Sequence, residues 1–374
     1  MKKVCTTCER IWDETNLWCK TRTCTAGSLS VVFDYGEYLS DILIVRMIRV
    51  LRTATIYEAQ RAGQRIMLKV AHDGCQEQLK REATTLAKLA QEQQHPMLPI
   101  LLPAYQFATG EQRPYGKTVY QNQTKYYMVF EFVEGEFLRD LLIKNPQPWY
   151  QHAAWMTISV ADAIAFLHVK GGKLHLNINP ESILIRTDKE GIPRPMLVDL
   201  GIVSEPQMVS PSWANKYAHP AYIPPELLDR GVMPGPTADV YGLGIVLYEM
   251  LTGAPAYRFK MRAEDDVRRD VRMQPPLPVN RSDLSEDVAN IVTQAIERNP
   301  ANRHADVRTF AKAMRVKFGE VPPEKKRRLI TRRRVGIFLL LVLFVIIFIL
   351  ISALLPILNN AGTNPGMLLL PFIR

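Results

Sequence analysis

The spacing of apolar positions changes once along the chain, near residue 150. Before it, Ile42-Leu43-Ile44-Val45 and Met47-Ile48-Arg49-Val50 are β-branched runs that predict a strand over 42–50. Thr55 to Ala59 and Arg65 to Val70 predict two more strands, joined by a turn at Ala62-Gly63. Gln76 to Gln91 carries apolar residues at 79, 83, 86, 87 and 90, the spacing of a one-sided helix. Tyr126 to Val133 is a further strand, ending at Glu134-Gly135. Beyond 150 the spacing is helical over 152–170, 239–252 and 287–297. Strands first and helices after predict an α+β fold, β-rich in its first part and helical in its second. No internal repeat is present.

One apolar run differs from the rest. Val335 to Leu355 has no charged residue and is almost wholly Leu, Ile, Val and Phe. At about 1.5 Å per residue it spans a hydrocarbon core of roughly 30 Å, so one C-terminal transmembrane helix is expected. A buried core helix of this length ordinarily keeps a polar face.

Charge sharpens that reading. The net charge is +10, but seven basic residues between Lys325 and Arg334, with Arg374, account for most of it. Residues 1–324 hold 39 basic and 37 acidic residues, so the excess is a patch beside the apolar run. Basic flanks stay cytoplasmic, which places 1–334 in the cytoplasm and the tail 356–374 outside, as a single-pass protein. The patch also suits anionic lipid headgroups. Met1-Lys2-Lys3-Val4-Cys5 has no apolar run of a signal peptide. Residues 1–40 balance five basic against five acidic residues, which argues against a nucleic-acid partner and for a protein partner.

Four of the five cysteines fall in the first 24 residues, as Cys5-x2-Cys8 and Cys19-x4-Cys24. Two thiol pairs on tight turns supply the four thiolates of a tetrahedral, structural Zn²⁺ site, a zinc-ribbon-like module. Disulfides are the alternative, disfavoured in a reducing cytoplasm. The second pair is spaced more widely than a zinc ribbon's usual x2. Trp12 and Trp18 are the expected small core of this module, and Cys75 reads as a lone thiol in a loop.

The densest chemistry lies at His175-Leu176-Asn177-Ile178-Asn179-Pro180-Glu181-Ser182, followed by an apolar strand. Lys69 ends Ile66-Met67-Leu68-Lys69 on a predicted strand, and Glu82 follows thirteen residues on, on the predicted helix. Asp199 sits in Leu197-Val198-Asp199-Leu200-Gly201, 22 residues after Asn177. Tyr222-Ile223-Pro224-Pro225-Glu226, Asp239-Val240-Tyr241-Gly242-Leu243-Gly244 and Asn299-Pro300-Ala301-Asn302-Arg303 come after it. This ordered series resembles a serine/threonine protein kinase domain, with a bacterial layout of kinase domain followed by a single membrane span. The resemblance implies a bilobal kinase-like fold over 41–318, preceded by a module at 1–25 and a linker at 26–40. A basic juxtamembrane segment at 319–334, the span at 335–355 and the tail at 356–374 follow.

By the same resemblance, Lys69 pairs with Glu82 and faces the α/β phosphates of ATP, and Asp199 holds Mg²⁺. Glu226 pairs with Arg303, and Asp239 ties down the catalytic-loop backbone. The family pattern breaks elsewhere. The three glycines of the phosphate-covering loop are Arg49, Leu51 and Ala54, and Met67 replaces the small residue against the adenine ring. Asn177 stands at the base position, Asn179 replaces a Lys, and Ser182 replaces a metal-binding Asn. Leu176 removes the Arg that grips a phosphorylated loop, and His219 replaces a Thr of the substrate-facing segment. Loss of a general base costs about 10²–10⁴-fold in rate. The expectation is a membrane-anchored pseudokinase that binds ATP without fast transfer. A weakly active Ser/Thr kinase, with Ser204, Ser210 and Ser212 as autophosphorylation sites, and a partner-binding protein centred on the cysteine module are the alternatives.

Overall fold

The computed structural model describes residues 2–325 apart from 9, 14, 17, 22–23, 25–28, 106–112, 210, 230–231 and 280, together with 340 and 342–352. The β-branched runs pair as expected. β1 (Lys2–Cys5), β2 (Ile11–Asp13) and β3 (Leu29–Val32) form one antiparallel sheet in the order β2-β1-β3. β4 (Tyr38–Leu39), β5 (Ile42–Val50), β6 (Ala54–Arg61) and β7 (Gln64–Ala71) begin the next. After α1 (Gln76–Glu92), β8 (Leu101–Leu102), β9 (Gly116–Tyr120) and β10 (Gln123–Glu131) complete it, in the order β4-β5-β6-β7-β10-β8 with β9 on β10. The turn between β6 and β7 is closed by Ala62 and Gly63, both at positive φ.

Side chains alternate across a strand, so this sheet has two faces to cover. Ile56, Met67, Met128 and Phe130 join the core beneath, with Leu79, Ala83 and Leu86 of α1. Tyr57, Leu68, Tyr127 and Val129 face the other way, into a second core with Val4, Val32 and Phe33. The cysteine module therefore closes the outer face of the small lobe. The Tyr57 hydroxyl accepts a hydrogen bond from the Phe33 backbone N–H at 3.1 Å.

Two expectations change here. The segment 26–40 was expected as a linker, but Leu29–Val32 pairs along β1 and Tyr38–Leu39 pairs with β5. Alternation in Leu29-Ser30-Val31-Val32 is too short to stand out beside Gly27 and Ser28. Of the two tryptophans expected as the module's core, Trp18 is exposed and Trp12 is half-buried, while Val4, Val32 and Phe33 are the buried apolar residues. Residues large enough to fill a small module were available from the neighbouring sheet instead.

The larger lobe begins with β11 (Glu136–Phe137), α2 (Leu138–Lys144) and α3 (Tyr150–Phe166). The catalytic loop lies between α3 and the hairpin β12 (Ile183–Thr187) and β13 (Pro193–Leu197), on which β11 also pairs. α4 (Pro211–Tyr217), α5 (Pro236–Thr252), α6 (Glu264–Met273), α7 (Glu286–Ala295) and α8 (Val307–Phe318) follow. The stretch Tyr150–Gly171 is long and apolar enough to cross a membrane, but two thirds of its apolar window is buried, and α3 packs on α5, α8 and β13. It is a core helix.

Residues 323–374 form a separate unit. Within the expected span, α9 (Val342–Ser352) is helical with exposed apolar side chains. The remainder of that span, residues 326–334 of the basic segment, and the tail lie outside the described residues.

Candidate active-site cleft

Lys69 comes from β7, Glu82 from α1 and Asp199 from the turn after β13, and the structure brings the three together. The Lys69 Nζ lies 2.6 Å from Glu82 and 2.5 Å from Asp199, and all three are buried. Glu82 Oε1 also accepts the Leu200 N–H at 2.8 Å, and Asp199 Oδ1 accepts the Gly201 N–H at 3.0 Å. Two carboxylates share one ammonium in a dry site. Burial, with Asp199 close by and despite Lys69, pushes Glu82 up to about 7. Burial alone would lower Lys69, but Asp199 and Glu82 outweigh it and raise its pKa.

The catalytic loop hangs from Asp239 of α5. Its carboxylate accepts the His175 N–H at 2.8 Å and the Leu176 N–H at 2.7 Å, and receives His168 Nε2 at 2.7 Å. Burial would raise Asp239, but the His168 bond and charge hold it below its usual range. Leu176 is pinned at φ +62°, a left-handed conformation that is strained for leucine. His175 Nε2–H donates to the Asp199 carbonyl at 2.8 Å, leaving Nδ1 to accept the Asn177 N–H at 3.3 Å. Burial lowers the His175 pKa, so it stays neutral.

The altered residues are turned inward. Asn177 Oδ1 accepts the His219 N–H at 2.8 Å. Asn179 Nδ2 donates to the Asn177 carbonyl at 2.7 Å, while its oxygen accepts the Glu181 N–H at 3.0 Å. Ser182 Oγ donates to the Asn179 carbonyl at 2.7 Å and is fully buried. The hydroxyl caps the short turn 180–182.

Sequence reading missed what supports this loop. Arg139 of α2 binds Glu181 at 2.7 Å and Glu249 at 2.5 Å, and donates to the Tyr222 hydroxyl. Tyr222 donates in turn to Glu249 at 2.5 Å. The His219 ring stands edge-on to Tyr222 and Phe259, and burial holds it neutral with a pKa of about 3. No spacing rule links residues so far apart. Among the expected structural devices, Arg303 binds Glu226 bidentately at 2.7 and 2.8 Å. Ser204 is buried and its backbone pairs with Leu174, so it is closed to modification here, and Ser210 lies outside the described residues.

The loop between β5 and β6 takes the place of the phosphate cover. Arg49, which stands at the first glycine position of that cover, is buried over the Phe137 ring at 4.9 Å and ion-paired with Asp140. Arg52 reaches α6 and binds both oxygens of Glu264, at 2.7 and 2.8 Å. Thr53 is buried at the tip. A Cβ added to Gly201 would meet both the Thr53 hydroxyl and the Asp199 carboxylate at 2.7 Å. The lid tip thus lies on the Asp199 turn. Behind it, Met67, Phe132, Val133, Gly135 and Leu184 line a cavity of about 310 Å³.

The cysteine cluster fits a metal. Its four Sγ atoms lie within 4.8 Å of one another, with Cys5–Cys24 and Cys8–Cys19 each at 3.5 Å. A disulfide needs about 2.05 Å, and all four are free thiols. Tetrahedral Zn²⁺ with Zn–S near 2.3 Å holds sulfurs a little under 4 Å apart, which matches. The Thr7 and Cys8 N–H groups both point at Cys5 Sγ, at 3.4 Å. Burial opposes ionisation of Cys19, but hydrogen bonds from Thr21 outweigh it and bring the thiol down to about 6. Cys75, expected in a loop, is buried at the start of α1, and burial pushes its thiol up to about 11.

The two lobes, the Lys69–Glu82 pair, the Asp199 turn and the Asp239-anchored loop define a protein-kinase-like fold. Residues 114–318, more than half of the chain, match the model of the protein kinase domain, and the chain belongs to that family. It is similar to a probable serine/threonine-protein kinase of Clostridium perfringens, 29% identical over 180 residues, covering 48% of this chain and 25% of that protein. Similarity extends to the serine/threonine-protein kinase PknB of Mycobacterium tuberculosis, 30% identical over 222 residues, with 56% and 33% covered. The human serine/threonine-protein kinase DCLK3 is 27% identical over 195 residues, with 50% and 28% covered. The chain thus spans only a quarter to a third of the length of these relatives. The family as a whole uses ATP with Mg²⁺.

Proposed function

We propose that this protein is a membrane-anchored pseudokinase, a kinase-fold signalling scaffold that transfers phosphate slowly or not at all. One observation carries the reading: the acceptor oxygen of Asn177 is already bonded to the His219 N–H. A carboxamide takes no proton in any case, and this one already spends an acceptor site of its oxygen inside the protein. The Ser182 hydroxyl is likewise engaged with Asn179 and offers nothing to a second metal. Lys69, Glu82 and Asp199 keep the means to hold ATP and Mg²⁺, which then acts as a ligand that stabilises one lobe arrangement. Cys5, Cys8, Cys19 and Cys24 hold structural Zn²⁺. The span at 335–355 anchors the chain, with the kinase-like domain on the cytoplasmic side beside the basic segment and the tail outside. Its partners are proteins at the membrane.

The test is transfer from γ-labelled ATP by the full chain in detergent, beside Asp199→Ala. The expected result is labelling no greater than that of the variant. Transfer at the 1–100 s⁻¹ usual for kinases, lost in Asp199→Ala, would overturn the reading.

A further inference from the structure

The cysteine module does more than cover the outer sheet. Thr6, Thr7 and Cys8 of its first turn, with Arg10 and Thr21, line the same cavity of about 400 Å³ as Asn177, Asp199 and His219. The floor of that cavity is the catalytic loop, His219-Pro220 and the entry to α6 from Phe259 to Val267. This is the side from which a polypeptide reaches the loop. The opposite wall is the module.

Val4 of the module, with Val32 and Phe33 of the strand paired to it, shares the outer core of the small lobe, and the Phe33 ring stands edge-on to Tyr57 and Tyr120. The turn that faces the cavity owes its shape to sulfur, since Cys5 Sγ gathers the Thr7 and Cys8 N–H groups. A sheet of such short strands depends on its metal for folding. The space left beneath it suits a small molecule, at the low end of the roughly 300–1,000 Å³ typical of such sites. Four extended residues alone span about 13 Å, before their side chains are counted.

We infer that the four-cysteine module is a metal-dependent gate over the substrate-facing side of the cleft. Seated, it closes that side to an extended polypeptide; without metal it releases Thr6, Thr7, Cys8 and Arg10 and uncovers the floor. The inference rests on reading the cluster as a zinc site, but not on whether the cleft transfers phosphate.

Hydrogen exchange on the full chain in detergent tests it, with zinc bound and after chelation, metal content being measured in each sample. Chelation is expected to speed exchange at 177–182 and 259–267 at least tenfold while β5 to β7 stay protected. Phe33→Ala keeps all four cysteines and removes the ring that packs edge-on against Tyr57 and Tyr120 of the small lobe; it is expected to unseat the module and expose the same floor with zinc retained. Unchanged exchange of the floor once the module is released overturns the gate. So does wild-type protection in Phe33→Ala. Should chelation also open β5 to β7, Phe33→Ala decides alone. Absence of zinc in the purified chain refutes the metal dependence, and Phe33→Ala still decides the gate.

Discussion

Replacing Glu264 by Ala should tighten nucleotide binding, although residue 264 lies outside the nucleotide pocket. The loop that would cover phosphates is held onto the larger lobe by Arg52–Glu264 and Arg49–Asp140. Its tip, Thr53, lies against the Asp199 turn where Mg²⁺ and the outer phosphates must sit. On the proposed reading, ATP would bind only after the loop lifts. Apparent affinity falls by the fraction of molecules in which it is lifted.

The size of that handicap follows from the contacts. A hydrogen bond to a charged group contributes about 1.5–3 kcal/mol net. Arg52 and Glu264 retain 19% and 23% side-chain exposure, so the low end applies to their pair. Losing about 1.5 kcal/mol of clamp gains roughly tenfold in affinity, and losing both clamps roughly a hundredfold. Glu264→Ala and Glu264→Ala/Asp140→Ala leave every lid side chain in place. Calorimetric titration of the full chain with ATP and Mg²⁺ reads the effect, with Lys69→Ala as the control that abolishes it. Equal affinity in wild type and both variants, or no binding by either variant at millimolar ATP, would refute the reasoning.

Arg303→Ala should destabilise the larger lobe by about 3–5 kcal/mol in a denaturant melt, because it leaves Glu226 buried without its bidentate partner. A loss under 1 kcal/mol would show that the pair is dispensable. Glu82 sits at about 7, above the ordinary carboxylate value of 4.5, so its contribution is complete below pH 4.5 and disappears as pH rises through 7. Glu82→Gln mimics the protonated form, and its melting temperature should gain on wild type between pH 5.5 and pH 8; a gap that stays constant or narrows contradicts the raised pKa. Asn177→Asp should raise transfer from labelled ATP by about 10²–10⁴-fold at saturating nucleotide, the usual contribution of a general base. Adding Glu264→Ala should lower the ATP concentration needed for half of that rate by roughly tenfold, the cost of the clamp in affinity. An unchanged ATP requirement in the double variant would contradict the clamp.

What the sequence revealed and what it hid divide along a physical line. Ile42–Val50, Gln64–Ala71 and Gln76–Glu92 were legible because each carries its own apolar period over eight or more residues. Lys69, Glu82 and Asp199 were legible as members of an ordered series, and Cys5 to Cys24 from their spacing. Leu29–Val32 was not, since four residues show too little alternation to distinguish strand from connection. The clamps were hidden for another reason. Arg49 and Asp140 are 91 residues apart, Arg52 and Glu264 are 212 apart, and surface-type residues carry no mark of a distant partner. The docking of the module was hidden likewise, because the second core takes single residues such as Val4 and Phe33 rather than a period.

The retained and the altered residues of the kinase pattern share one consequence. In each case a group that would face nucleotide or substrate is satisfied inside the protein. Lys69 is shared by Glu82 and Asp199, Asn177 holds the His219 N–H, Ser182 caps its own turn, and Arg49 pairs with Asp140. Nucleotide therefore has to compete with contacts already made rather than complete contacts left open. Its net affinity is correspondingly weaker, because the interactions it gains at Lys69 and Asp199 replace ones of similar strength. The same exchange makes it a strong lever on shape. A phosphate placed at the Asp199 turn would displace Thr53 and break Arg52 from Glu264, so occupancy of that turn and the seated lid exclude one another. A cleft built this way is poorly suited to turnover.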